Sequence, residues 1–78
     1  MLDLKQILTD IAKSIVDEPD EVTVLVNENG NNVVLTLSVA PNDMGKVIGR
    51  NGRIAKAIRT VMKAAANSIG KKVTVEIR

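Results

Sequence analysis

Residues Met44 to Lys63 read MGKVIGRNGRIAKAIRTVMK, and the fold turns on how this stretch is divided. Gly49 and Gly52 bracket Arg50 and Asn51 in a G-x-x-G arrangement, with the apolar pair Val47 and Ile48 just ahead of it. Glycine lacks a Cβ, so such a loop admits positive φ angles and lets another backbone come close, while free N–H groups at the start of a following helix favour an anion. Behind the loop, Ile54, Ala57, Ile58, Val61, Met62 and Ala65 recur at helical intervals and are expected to form a buried stripe. Arg53, Lys56, Arg59, Thr60 and Lys63 cover the rest of that helix, so positive charge continues from the loop onto it. Ahead of the loop, Pro41 ends a strand, and Asn42 or Asp43 is the expected cap of a short helix running from about Asp43 to Ile48.

Outward from this centre the pattern changes period. Asn67 to Gly70 closes the long helix, and Lys71 and Lys72 lead into a strand in which Val73, Val75 and Ile77 alternate with Thr74 and Glu76. Upstream, Val22, Val24 and Val26 alternate with Thr23, Leu25 and Asn27, and after an Asn-Gly turn the alternation resumes with Val33, Leu35, Leu37 and Val39, which predicts a hairpin. Leu4, Ile7, Leu8, Ile11, Ala12, Ile15 and Val16 mark a first amphipathic helix that Pro19 forbids from continuing. The order is helix, strand, strand, short helix, loop, helix, strand. A crossover of two helices makes the second and third strands parallel neighbours, and the hairpin adds an antiparallel one. The expected class is α+β, an α/β sandwich with a three-stranded mixed sheet and three helices on one face.

Composition narrows the chemistry. Seventy-eight residues, 45% apolar and 26% charged, describe one small globular domain over 1–78, and no apolar run reaches the roughly 18 residues of a membrane span. Asp3, Lys5, Asp10 and Lys13 interrupt the N-terminal stretch, so no signal peptide is expected there. The absence of cysteine fits a reducing cytoplasm. With no histidine either, no Ser-His pair, Cys-His pair or zinc site can be assembled, and no enzyme is expected. Asp17, Glu18, Asp20 and Glu21 lack the glycine turn and alternating oxygens of a calcium loop, so no metal is assigned to them. Gly45, Gly49 and Gly52 fit neither the dinucleotide-binding fingerprint nor a P-loop, leaving no cofactor and no small-molecule substrate.

Charge is segregated. Residues 1–43 hold eight acids and two lysines, a net −6, whereas residues 44–78 hold nine bases and one acid, a net +8. That is the footprint of a polyanion-binding face centred on the loop. There is no Phe, Tyr or Trp on which bases could stack, which excludes an RNA-recognition motif and the usual single-strand binders. A module that clamps the backbone of about four nucleotides against an aliphatic groove has no such need. Ile48 and Ile54 are the expected lining of that groove. Two rivals are weighed: a DNA-binding helix-turn-helix built from residues 43–48 and 53–68, and a protein-interaction adaptor whose binding face is the long helix.

Val47-Ile48-Gly49-Arg50-Asn51-Gly52-Arg53-Ile54 resembles the V-I-G-x-x-G-x-x-I signature of KH domains, and the αββααβ order resembles the bacterial type II topology. The likeness extends over the whole chain, with Ile54 two residues after Gly52 and Ala55 in the third place. Length and motif resemble in particular the small single-KH RNA-binding proteins of the KhpA (YlqC-type) family. The resemblance implies that Gly49, Arg50, Asn51 and Gly52 contact the sugar-phosphate backbone of single-stranded RNA, with Ile48 in the groove. Arg53 and Lys56 would extend the contact, and Lys46, Lys71 and Lys72 would act as outer electrostatic steering. It further implies a homodimer or a heterodimer with a KhpB-type partner, with a role as a post-transcriptional regulator or RNA chaperone linked to cell elongation and division. Small residues on the long helix suit close helix approach, so Val61, Met62 and Ala65 are the expected dimer contacts.

Overall fold

The computed structural model describes residues 3–78; Met1 and Leu2, the start of the segment expected to lack a leader, lie outside the described residues. Helix α1 runs over Leu4–Ile15 and is started by Asp3, whose carboxylate accepts the Gln6 N–H at 3.2 Å. Its inward face buries Leu4, Leu8 and Ala12, with Ile7, Ile11 and Ile15 packed at the margin. Chain reversal follows in a single 3₁₀ turn, Pro19–Glu21, because proline has no N–H to extend the helix.

Strands β1 (Thr23–Asn29) and β2 (Asn32–Ser38) form the expected hairpin, with Gly30 at φ 62° in its turn. Strand β3 (Lys72–Ile77) lies parallel to β2, so the sheet order is β1-β2-β3 and Leu35 sits between Val26 and Val75. Central β2 supplies the deepest residues of the sheet, Val33, Leu35 and Leu37. The crossover between β2 and β3 carries α2 (Met44–Ile48), a 3₁₀ turn (Arg50–Gly52) and α3 (Arg53–Ser68). Helices α1 and α3 pack on the mixed sheet and α2 packs against both of them, so the three helices lie on one face as the sequence predicts. Helix α3 stops where Gly70, at φ 72°, lets Lys71 N–H turn back to the Ala66 carbonyl at 2.9 Å.

Two details depart from the sequence reading. Val26 belongs by alternation to the inward set, yet it is exposed, because it lines an open hollow between the start of α1 and Ile69 instead of lying under a helix. More consequential is the rotation of α3. The residues it buries are Ala55, Ile58, Met62 and Ala66, while Ile54, Ala57 and Val61 are exposed and Ala65 is half-buried. The helix is apolar around much of its circumference, and the side facing the sheet is the one that closes. Met62 is 0% exposed, so this expected dimer contact is a core residue with no surface to offer a second copy.

Candidate functional site

The loop is set by backbone constraints at its two ends. Gly49 ends α2 by donating its N–H to the Gly45 carbonyl at 2.8 Å, and its φ of 76° and ψ of 174° fall in a region that is essentially glycine-only. A Cβ there would stand 2.6 Å from Ile54 Cγ1 and 2.9 Å from the Ile54 backbone nitrogen, so any side chain is opposed both by backbone strain and by a clash. Asn51 is left-handed at φ 57°, a conformation its short polar side chain tolerates, and Gly52 follows at φ 72°. Gly52 N–H closes the turn onto the Gly49 carbonyl at 3.2 Å. The result is a tight, outward-pointing turn with Arg50 and Asn51 exposed at its tip. No side chain caps the N-terminus of α3, leaving the positive end of its dipole facing the loop.

Around the turn, Ile48 and Ile54 are 38% and 39% exposed, and Arg53 and Lys56 project from the first turns of α3. Ala55, in the place where the KH signature carries its last isoleucine, is the residue that turns inward. Arg50, Arg53 and Lys56 make no ion pair among the described residues. The outer lysines behave otherwise. Lys46 is hydrogen-bonded to Asp17 and lies 3.7 Å from the Asp43 carboxylate, and the Asp17 bond, outweighing the opposing desolvation, holds its pKa above the ordinary lysine value. Lys71 pairs with Glu28 at 3.2 Å. Moreover, Lys71 and Lys72 follow the C-terminus of a 16-residue helix whose N-terminus carries the loop, about 24 Å away. That exceeds two Debye lengths at physiological salt, so the field of this lysine pair is largely screened at the loop.

Two residues have roles that sequence reasoning missed. Asp43, proposed as a helix cap, makes no capping bond; at 1% exposure its two oxygens accept the N–H groups of Asp17 and Glu18 at 3.1 and 3.0 Å. It thereby ties the entry to α2 to the exit from α1. Nothing in its immediate sequence signals a partner so distant along the chain. Arg59, one of several bases on α3, donates Nε–H to the Val75 carbonyl of β3 at 3.2 Å.

Between α1 and α3 runs an apolar groove of about 520 Å³, walled by Ile11, Ile15, Ile54, Ala57 and Val61 with Arg53 at its rim. It is the face that the rotation of α3 leaves open. Among the described residues no helix is long and apolar enough to cross a membrane.

A three-stranded mixed sheet whose parallel crossover presents a G-x-x-G turn at the head of a basic helix defines a KH-type domain. A family model described as KhpA/KhpB, KH domain matches residues 5–77. The chain belongs to this family. It is 61% identical to the RNA-binding protein KhpA of Clostridium acetobutylicum over 95% of this chain and 99% of that protein. The RNA-binding protein KhpA of Clostridium perfringens is 55% identical over the same shares, and that of Aquifex aeolicus is 47% identical over 95% of this chain and 94% of its own length. Among solved structures, Era in complex with MgGDPNP and nucleotides 1506-1542 of 16S ribosomal RNA superposes with a TM-score of 0.67 at 24% identity. That alignment covers 95% of this chain but 28% of the Era chain, and it concerns the fold alone.

Proposed function

We propose that the chain is a noncatalytic, single-domain KH protein of the cytoplasm that binds single-stranded RNA through the turn at residues 49–52. The observation that carries this reading is the turn itself: three positive-φ residues, Gly49, Asn51 and Gly52, bring the backbone to the surface beside Arg50, Arg53 and Lys56, cations that make no ion pair among the described residues. Phosphates would lie against the turn and the open end of α3, with Arg50 supplying a bidentate contact. Bases would lie toward Ile48 and Ile54. The names of the relatives agree with this assignment, since each is called an RNA-binding protein. Fluorescence anisotropy with a short single-stranded RNA tests it. A folded Arg50→Asp/Asn51→Asp variant, checked by circular dichroism, is expected to lose binding; unchanged binding would overturn the clamp.

The apolar groove supports a second component, association with a second copy or with a KhpB-type partner through the exposed side of α3. Val61 is 50% exposed at its centre, and a chain this small gains from burying such a face. A protein-interaction adaptor would use the same groove without the loop. Such a role in post-transcriptional control would join weak RNA modules through their dimer.

A further inference from the structure

Helix α3 carries Lys56, Arg59 and Lys63 at spacings that place them on one face, and none of them meets a carboxylate among the described residues. Within this row Arg59 differs in kind. Lys56 and Lys63 are free to swing, whereas the Arg59 head group is moored by Nε–H to the carbonyl of Val75 on the edge strand β3. An exposed arginine so held has spent one of its five donors on orientation. Its two Nη amino groups, which make no hydrogen bond among the described residues, remain as a flat fork over the seam between α3 and β3. Arg59 is six residues beyond Arg53, about 9 Å along the helix, within reach of the four nucleotides that a G-x-x-G turn holds.

We propose that Arg59 reads a nucleobase, selecting bases that present two adjacent hydrogen-bond acceptors. This rests on the loop being the RNA clamp, since the clamp is what brings a strand along α3. A pair of donors in a fixed plane matches guanine, with O6 beside N7, and the unpaired edge of cytosine, with O2 beside N3; adenine sets a donor next to each accessible acceptor and mismatches the fork. The chain has no aromatic residue, so base recognition falls to polar groups of this kind. Pre-orientation by Val75 means that little side-chain entropy is lost when the base docks. Lysine in the same place would keep the charge and lose the fork.

The test compares oligocytidine and oligoadenosine octamers by anisotropy for wild type, Arg59→Lys and the loop variant Arg50→Asp/Asn51→Asp, with thermal melting to verify that each is folded. Wild type is expected to prefer the cytidine octamer by about tenfold, the scale of one bidentate base contact. In R59K that preference is expected to fall below about twofold, with affinity for the adenosine octamer retained, whereas the loop variant loses both octamers alike. Equal binding of the two octamers by wild type, or a preference that survives in R59K, overturns the assignment to Arg59 and leaves the loop reading standing. Undiminished binding by the loop variant overturns the loop reading itself, and the Arg59 assignment with it.

Discussion

Gly49 and Gly52 both have positive φ, but their surroundings give them different tolerance. At Gly52 a Cβ would meet open space, so alanine pays only for the left-handed backbone, about 1 kcal/mol. At Gly49 the backbone strain is compounded by contact with Ile54, including its main-chain nitrogen, which cannot swing aside as a flexible side chain would. Gly49→Ala is therefore expected to cost about 3 kcal/mol in urea unfolding, strain and overpacking together, and Gly52→Ala about a third of that. Equal losses at the two positions would mean that Ile54 yields freely. Asn51 is the third left-handed residue, and its identity is explained by tolerance of that conformation more than by any bond it makes.

At the scale of elements, the short helix α2 depends on Asp43 for its place. With both carboxylate oxygens engaged by N–H groups across the α1 exit, Asp43→Ala is expected to destabilise the fold by about 2 kcal/mol, and Asp43→Asn, which keeps one acceptor, by less. Lys46 adds a pH signature to the same junction. Its folded-state pKa is raised by the hydrogen bond to Asp17, so its contribution is fully present below the unfolded lysine value of 10.5 and is lost as pH rises through the folded value. The difference in urea midpoint between wild type and Lys46→Met should thus stay constant from neutral pH to about 10 and then close. A difference that persists at higher pH would assign Lys46 a packing role instead. Element order, the hairpin, the parallel crossover and the turn were legible in the sequence because alternation, helical spacing, Pro19, Pro41 and the glycines are local signals. The face of α3 was not. Ile54, Ala55, Ala57, Ile58, Val61, Met62, Ala65 and Ala66 support two adjacent stripes equally well, and contact with the sheet selects between them. The mooring of Arg59 and the junction at Asp43 were hidden for a related reason: each partner lies far along the chain.

Across the whole molecule, sheet order converts an asymmetry along the sequence into one across space. The acidic first half forms α1, β1 and β2, the basic second half forms α2, α3 and β3, and β1 and β3 lie at opposite edges. The positive half is not one uniform surface, since Lys46 and Lys71 are paired and Lys71 and Lys72 lie at the far end of α3 from the turn. Only Arg50, Arg53 and Lys56 combine nearness to the turn with freedom from ion pairs among the described residues. Counterion release makes this distinction measurable, because each phosphate neutralised on a single strand contributes about −0.7 to the slope of log K against log salt. Three such contacts predict a slope of about −2 for a short single-stranded RNA. Arg53→Gln should bring it to about −1.4, whereas Lys71→Met and Lys72→Met together should leave it unchanged. An equal fall for the Lys71 and Lys72 pair would show that RNA spans the length of α3, and the interface would then have to be redrawn from the turn to the far end of β3.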